Sequence, residues 1–292
     1  MNIKKIFNYI LFIQKKIAFH IKMGKIPGEM KANYKNYIFY ATLKQKYKTY
    51  IKTHTPVSNN VHEYCNKVWW CWFQGEEQAP ELCKSALKTV RNNLPDKEII
   101  IITEENYKNY ANFPSFILKK YNEGKISRTH FSDLLRLELL SKYGGLWIDS
   151  TCFLTENPKF IFNKPLFVFQ NRERGDSSIV ASSWLISAEK NNPIILLTRD
   201  LLYNWWKEHN HLYHYFLLHF FFTMATEFYK DDWANVPFYS NLPCHILQRE
   251  LFDKYDEYRF EQLKKMSAVH KLTYKFGEKK LSETIYEYLM RN

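Results

Sequence analysis

The chain has 292 residues, 46% hydrophobic, 17% aromatic and 25% charged, a composition that excludes disordered, collagen-like and low-complexity proteins. Its net charge of +12 is concentrated at one end: residues 1–60 contain 12 lysines and one acidic residue, whereas residues 61–292 contain 30 basic and 29 acidic residues. A nearly neutral body argues against a nucleic-acid-binding domain, which needs a basic face of its own.

The first 25 residues have the pattern of a basic amphipathic helix. At about 100° per residue, the apolar side chains fall on one arc and the lysines on the other. Only nine uncharged residues separate Lys5 from Lys15, whereas a membrane-spanning helix needs about 20. No small-residue cleavage site of a signal peptide follows. Such a helix either lies in the headgroup region of an anionic membrane or packs on the body, and the lopsided charge favours the membrane.

Residues 26–60 predict a second polar helix or an extended lead-in, which ends in the turn-like stretch of residues 55–60. We place a domain boundary at that turn.

The body alternates predicted strands and helices. The predicted strands are Lys67–Phe73, Glu98–Thr103 and Leu146–Ile148, and the predicted helices are Pro80–Asn92 and Ser132–Tyr143. Two glycines end the second helix in the manner of a left-handed cap. This order predicts an α/β fold with a mainly parallel sheet and helices on both faces. Such sheets bind ligands at the carboxyl ends of their strands.

Polar side chains near these strand ends are the candidate site. Gln74, Thr103 and Asp149 each follow a predicted strand. Asp133 and Arg136 are three residues apart and share a helix face. They are either a surface ion pair or a carboxylate and a guanidinium directed at sugar hydroxyls or phosphate. Asp149, which two hydroxyl residues follow, suits a divalent metal or a ribose, although a lone strand-end aspartate is commonly a turn former.

The five cysteines do not have the pattern of a disulfide framework. Their number is odd, and no C-x-x-C pair occurs. Disulfide frameworks are typical of small secreted domains. We therefore expect reduced, mostly buried cysteines in a cytosolic protein.

The segment SDLLRLELLSKYGGLWIDST, residues 132–151, resembles the sugar-transferase region of the bacterial capsular polysaccharide synthesis proteins. These proteins belong with the DXD-containing glycosyltransferases of family 32 and, more distantly, the large clostridial glucosylating toxins. The resemblance covers roughly residues 65–275, from KVWWCWFQG to HKLTYK. It implies a GT-A (Rossmann-like) α/β fold over residues 61–277. The basic amphipathic, membrane-associating helical extension over residues 1–60 precedes this domain, and a C-terminal helical tail over 278–292 follows it.

The resemblance also implies roles for individual residues in nucleotide-sugar binding. Trp72 would stack on the nucleobase, with Gln74 and Gly75 in the adjoining loop. Thr103 would help line the nucleotide pocket.

The catalytic residues that the resemblance implies are Asp133, Arg136 and Asp149. The first two would hold hydroxyls of the donor sugar. Asp149 would contact the ribose or sugar and a metal that bridges the diphosphate. His270 would approach the diphosphate or the metal, and Lys271 would supply positive charge.

The motif departs from a complete DXD at position 151, where Thr151 replaces the second carboxylate. A hydroxyl is a weaker ligand than a carboxylate for a hard cation. We expect Mn²⁺ or Mg²⁺ as the cofactor, with Asp149 and His270 as its protein ligands, and an imidazole ligand would favour Mn²⁺.

An aromatic stretch contains four histidines. They indicate either a zinc site or a buried helix over the acceptor side of the site. No cysteine or carboxylate has a spacing that would complete a zinc site, which favours the helix. Three tryptophans nearby either line an acceptor groove or pack in the core. The histidines are His209, His211, His214 and His219, and the tryptophans are Trp184, Trp205 and Trp206. His245 has no clear assignment, and Glu138 is interpreted as structural or solvated.

These observations together predict a peripheral-membrane glycosyltransferase on the cytoplasmic face of the plasma membrane. It would transfer a hexose or hexose derivative from a nucleoside diphosphate sugar, most simply a UDP-sugar, to a growing, lipid-linked surface glycan with retention of configuration. The alternatives are a toxin-like protein glycosyltransferase, an inactive scaffold of capsule assembly, and a nucleic-acid-binding protein that uses the lysine-rich N-terminus. The neutral body disfavours the last of these, and no nucleic-acid partner is expected.

Overall fold

The computed structural model describes residues 28–53, 64–171 and 176–291. The predicted helix over residues 1–25 and the predicted boundary at residues 55–60 lie outside the described residues and stay predictions. Within the described ranges, no helix is both long enough and apolar enough to cross a membrane.

The secondary structure alternates as the sequence predicts. In the described part of the chain the strands are β1 (Lys67–Cys71), β2 (Glu98–Ile102), β3 (Gly145–Ile148), β4 (Cys152–Leu154), β5 (Leu166–Gln170), β6 (Ala181–Ala188) and β7 (Val269–Lys271). The helices are α1 (Gly28–Thr53), α2 (Glu81–Asn93), α3 (Tyr107–Tyr110), α4 (Ser115–Asn122), α5 (Arg128–Tyr143), α6 (Pro193–Glu208), α7 (Leu217–Phe228), α8 (Lys230–Ala234), α9 (Ile246–Glu250), α10 (Glu257–Met266) and α11 (Ile285–Arg291).

Five strands form a sheet in the order β2-β1-β3-β6-β5. β1 pairs in parallel with β2 and with β3, whereas β6 pairs antiparallel with β3 and with β5. Four of these five strands therefore run in one direction and β6 opposes them. This confirms the predicted α/β class with a mostly parallel sheet, as expected for a GT-A fold. β4 and β7 form a separate antiparallel pair beside it.

Both faces of the sheet are covered, because successive side chains of a strand point to opposite faces. Trp69 of β1 and Trp147 of β3 pack into the core on the side of α5, α6 and α7. Val68 and Trp70 pack into a second core on the side of α2. The strands are therefore apolar on both faces, as is typical of a parallel sheet between helical layers.

The turn between α5 and β3 depends on two glycines. Gly144 and Gly145 have φ angles of +72° and +97°, in the left-handed region that favours glycine. A Cβ on Gly145 would lie 2.4 Å from the carbonyl oxygen of Lys67. Only a residue without a side chain lets β3 enter the sheet beside β1 here, and this entry places Asp149 at the carboxyl end of β3.

α5 begins four residues earlier than predicted. Ser127 provides its N-cap, because the side-chain hydroxyl accepts a hydrogen bond from the His130 amide at 3.3 Å. The earlier start adds a turn of helix, including Arg128, to the face that carries Asp133 and Arg136.

The polar helix predicted within residues 26–60 is α1. It packs on the body rather than standing apart. Tyr40, Leu43, Tyr47 and Ile51 are buried at helical spacing. Tyr47 meets Phe221 of α7 edge to face, with ring centroids 5.2 Å apart. The division of the chain at residue 60 stays a prediction, but the described part of the extension shares the core of the body.

The tail over residues 278–292 is described up to residue 291 and contains α11. Ile285 and Leu289 of this helix are buried in a third apolar cluster with Leu82 and Ala86 of α2. Ser85 donates a hydrogen bond of 2.8 Å to the Leu289 carbonyl, so the tail helix is anchored to the body.

Candidate active site

A cavity of about 460 Å³ opens at the carboxyl ends of β1 and β3, where the α/β topology predicts a ligand site. Its walls come from the segment after β1, one face of α5, the turn after β3, the start of α7 and the segment after β7. Six of the nine predicted site residues line it: Trp72, Gln74, Asp133, Arg136, Asp149 and Lys271.

Arg136 lies at the centre of the polar network in this cavity. Its Nη2 lies 3.1 Å from Oδ1 of Asp133 and 3.5 Å from Oδ1 of Asp149. Its Nη1 donates to the carbonyl of Ser183 on β6. The guanidinium also lies over the Trp147 ring, 4.9 Å from the centroid. Only 6% of the Arg136 side chain is exposed, so the structure supports the site interpretation over an exposed surface ion pair.

Asp133 is held ionised by its neighbours. Burial by itself would raise the pKa of the Asp133 carboxyl, but the Arg136 guanidinium and the His130 side chain outweigh it and lower that pKa below the usual range. Nδ1 of His130 lies 3.3 Å from Oδ2 of Asp133. The cavity thus presents a fixed carboxylate that can accept hydrogen bonds from hydroxyl groups.

Asp149 has a nitrogen donor or a cation beside each oxygen. The indole Nε1 of Trp147 donates to Oδ1 at 3.0 Å, and Arg136 approaches the same oxygen. Nζ of Lys271 lies 3.4 Å from Oδ2 and also donates to the hydroxyl of Thr151. Lys271 comes from β7, which pairs with β4 directly after the Asp149 turn. The site therefore joins residues that are more than 100 positions apart in the sequence.

An aromatic wall closes another side of the cavity. The rings of Trp72 and Tyr274 meet edge to face with centroids 5.5 Å apart. Nε1 of Trp72 is buried and has no hydrogen-bond partner within the described residues. Flat apolar rings beside an unused donor suit a heteroaromatic ligand with polar edges.

Gly75 and Thr103 lie outside the cavity lining. Gly75, with φ of +88°, forms a tight turn in which its amide donates to the Trp72 carbonyl at 2.9 Å. The Thr103 hydroxyl accepts from the Asn106 amide at 3.3 Å in the turn before α3. Thr103 follows β2, the edge strand, so it lies one strand away from the β1–β3 cleft. Both residues shape turns beside the site.

His270 also lies outside the cavity lining, in contrast to its neighbour Lys271. Adjacent residues of a strand point to opposite sides, so the residue after His270 enters the cavity while His270 turns into the protein. It is 1% exposed, and its Nε2 lies 3.3 Å from the Thr155 hydroxyl. Burial lowers the pKa of His270 to about 4.

The predicted metal ligands are therefore not brought together. Asp149 faces two cationic side chains, and His270 faces away from it. Across the described ranges, no group of three His, Cys, Asp or Glu side chains is placed to hold a metal ion. The residues present do not fit a divalent cation held by Asp149 and His270, and the expected Mn²⁺ or Mg²⁺ stays a prediction without a matching ligand set.

The structure adds cavity residues that the sequence interpretation missed. Arg128 and Ser132 line the cavity from α5. They precede Arg136 by eight and four residues, so their helical spacing is a signal that could have found them. Tyr215, in the loop before α7, also lines the cavity, but its position depends on tertiary structure that spacing does not encode.

The buried helix predicted for the histidine-rich stretch is α7, but it contains only one of the four histidines. His219 lies in α7 and lines the cavity, and burial lowers its pKa to about 4. His209, His211 and His214 precede the helix. The three tryptophans pack in the core: Trp205 and Trp206 are 3% and 1% exposed, and Trp184 stacks on Phe169 with ring centroids 4.9 Å apart.

Glu138 is structural, which resolves its two predicted alternatives. It is 8% exposed and accepts a hydrogen bond of 2.8 Å from the Tyr203 hydroxyl. Nη1 of Arg199 lies 3.6 Å from it.

Residues 22–289 match the model of the family described as capsular polysaccharide synthesis protein. The chain belongs to this family. The match confirms the recognition made from the motif and extends it on both sides of the resemblance, into α1 and α11.

Comparisons with individual proteins give partial matches. The chain is 25% identical over 177 residues to the O-glycosyltransferase braB of Annulohypoxylon truncatum, a match that covers 54% of this chain and 40% of that protein. It therefore spans less than half of that relative. The solved PaToxG glycosyltransferase is 18% identical, with 80% and 86% of the two chains covered and a TM-score of 0.40. A solved mutant transferase is 15% identical, with 64% and 98% covered and a TM-score of 0.34.

Proposed function

We propose that this family member is a glycosyltransferase. It moves a hexose or hexose derivative from a nucleoside diphosphate sugar, in the first instance a UDP-sugar, to a growing surface glycan such as capsule, O-antigen or lipooligosaccharide. The observation that carries the proposal is the convergence of Asp133, Arg136, Asp149 and Lys271 in one cavity at the carboxyl ends of β1 and β3. The family and the relative named an O-glycosyltransferase support this reaction class.

The chemistry needs placed charge more than a dedicated nucleophile. When the bond between the anomeric carbon and the diphosphate breaks, the leaving group gains negative charge. Lys271 and Arg136 are fixed cations beside the position we assign to that group, and cations already oriented before the reaction stabilise a transition state at low reorganisation cost. Asp133, ionised and only 14% exposed, would accept hydrogen bonds from the donor sugar.

The aromatic wall gives the donor an orientation. We assign the nucleobase to the side of Trp72 and Tyr274, which places the diphosphate near Lys271 and the sugar near Asp133. The two carboxylates, Asp133 and Asp149, are each paired with cationic side chains. This pairing supports direct front-face attack by the acceptor, with retention, rather than a covalent sugar intermediate.

The proposed acceptor is lipid-linked, on the cytoplasmic face of the plasma membrane. Recruitment through residues 1–25 would hold enzyme and acceptor on one anionic surface. The exposed face of α1 supports this assignment, because Met30, Tyr34, Tyr37 and Ile38 are 45–59% exposed at helical spacing beside lysines. Deletion of residues 1–25 should reduce co-sedimentation with phosphatidylglycerol vesicles by at least ~10-fold, since each lysine near such a surface contributes about 1 kcal/mol. Undiminished sedimentation of the deletion variant would remove this segment from membrane binding.

The proposed activity is tested by nucleotide release from UDP-, GDP-, CMP- and dTDP-sugars. We expect release from one donor, loss of that release in Asp149→Asn, and normal release in Asp231→Asn, a matched change at an exposed carboxylate on α8. Asp149→Asn keeps the shape of the side chain, so its melting temperature should stay close to that of the wild type. Absence of both release and nucleotide binding would favour the scaffold alternative.

A further inference from the structure

The ammonium of Lys271 occupies the place between the first and third positions of the DXD-like motif. Its Nζ lies 3.4 Å from Oδ2 of Asp149, the first position. The same Nζ donates to the hydroxyl of Thr151, the third position, where a complete motif would have a second carboxylate. The other oxygen of Asp149 accepts from Trp147. Both positions of the motif are therefore engaged by nitrogen donors of the protein.

Backbone pairing fixes Lys271 at this place. Lys271 is opposite Cys152 in the β4–β7 pair, and the amide of the next residue, Leu272, donates to the Thr151 carbonyl at 2.9 Å. Thr151 itself is 5% exposed. The ammonium thus comes from a strand pair that begins directly after the motif's third residue.

The charges of the cavity also disfavour an added divalent ion. Asp133 and Asp149 are balanced by Arg136 and Lys271, and the lining contains further positive charge at Lys275 and at Arg128, whose Nε lies 4.0 Å from Glu104. A divalent cation in contact with Asp149 would lie beside an ammonium and a guanidinium. A diphosphate, in contrast, would meet an excess of positive charge.

We propose that Lys271 replaces the divalent cation in this chain, so that nucleotide binding and sugar release proceed without a metal. The inference rests on the proposed function, since it concerns how the same site neutralises the diphosphate. Lys271 and Arg136 then carry the charge compensation that a DXD-bound ion would otherwise supply.

The first test measures binding of UDP, GDP, CDP and dTDP by calorimetry, together with nucleotide release from the matching sugars, in EDTA and in Mn²⁺. We expect the dissociation constant and the release rate to differ by less than ~3-fold between the two conditions, because a fixed ammonium provides the compensating charge. Lys271→Ala should slow release by ~10²–10³-fold, the range for loss of one group that stabilises developing charge. The matched control is Lys264→Ala, which removes an exposed lysine of α10 that pairs with Glu261 at 2.7 Å.

The second test measures Mn²⁺ itself by electron paramagnetic resonance, without nucleotide. The wild type should leave Mn²⁺ free. The double variant Thr151→Asp with Lys271→Ala restores two carboxylates and removes the ammonium, and it should bind the ion. Thermal unfolding checks that each variant is folded.

The outcomes separate the two proposals. Release by the wild type that is lost in EDTA and restored by Mn²⁺ would overturn the metal-free inference and leave the transferase proposal standing. Mn²⁺ binding by the wild type as tight as that of the double variant would overturn the inference in the same way. Absence of binding for all four nucleotides, with and without metal, would overturn the proposed function and the inference with it.

Discussion

Replacing Arg136 with lysine keeps the positive charge of the site but removes its planar fork. The guanidinium contacts four acceptors at once: Asp133 at 3.1 Å, Asp149 at 3.5 Å, the carbonyl of Ser132 at 3.4 Å and the carbonyl of Ser183. An ammonium from the same position is a point charge on a flexible stem and cannot reproduce this geometry. We expect Arg136→Lys to retain no more than two of the four contacts.

The loss can be estimated from those contacts. Hydrogen bonds of charged groups contribute roughly 1.5–3 kcal/mol each, and the substitution removes at least two of the four contacts at a side chain that is 6% exposed. Taking the lower end of this range, we expect Arg136→Lys to reduce the free energy of unfolding by about 3 kcal/mol. Nucleotide release should slow by at least ~10²-fold, since the cation beside the leaving group is displaced.

The assay is urea denaturation of the wild type, Arg136→Lys and a matched control, Arg259→Lys. Arg259 also forms a two-pronged pair, with Glu250 at 2.8 and 2.5 Å, but its side chain is 37% exposed. Water screens an exposed pair, which therefore contributes little to stability, so the control should change little. Equal destabilisation of the two variants, or full nucleotide release by Arg136→Lys, would refute the reasoning.

Three further predictions concern single groups. Trp147→Phe keeps an aromatic ring below the guanidinium but removes the indole N–H that donates a hydrogen bond to Asp149. We expect nucleotide release to slow by ~10-fold, the equivalent of one hydrogen bond of about 1.4 kcal/mol. An unchanged release rate would exclude this role. Burial lowers the pKa of His270 from 6.5 to about 4, so the folded state holds it neutral while the unfolded state protonates it. The stability that it contributes is present above pH 6.5 and lost as the pH falls towards 4. Between pH 7 and pH 5 the free energy of unfolding should drop by about 2 kcal/mol from this residue; His270→Gln, compared by denaturant titration at both pH values, should lose correspondingly less, and an identical loss would contradict the assignment. Gly145→Ala should reduce the free energy of unfolding by more than ~3 kcal/mol because its Cβ meets a backbone oxygen, whereas Gly124→Ala, at φ +71° with open space around it, should lose only about 1–2 kcal/mol; similar melting temperatures for the two variants would count against the close approach.

The sequence predicts the elements that hold the site well, because their signals are local. The apolar runs of β1 and β3 and the helical spacing of α5 each depend on a few neighbouring residues. The shared face of Asp133 and Arg136 follows from a spacing of three. The position of Asp149 follows from the end of an apolar run.

The remaining residues depend on pairing that spacing alone cannot resolve. Whether His270 or Lys271 enters the cavity is decided by the register of β7 on β4, and a shift of one residue would exchange them. The place of Thr103 depends on β2 being the edge strand. The family resemblance identified the right segment in both cases. The structure showed which side of β7 each residue faces and where β2 lies in the sheet.

The pairing of β7 with β4 has a consequence for how the protein is made. Lys271 reaches Thr151 across 120 positions of sequence. While the ribosome is still adding those residues, Arg136 is present beside Asp133, but Asp149 lacks the lysine that pairs with it. Domains generally fold as units, so the site is complete only once this lysine has been made. The site therefore gains its final charge only after α6 to α10 have been made, and the proposed nucleotide binding depends on this late step.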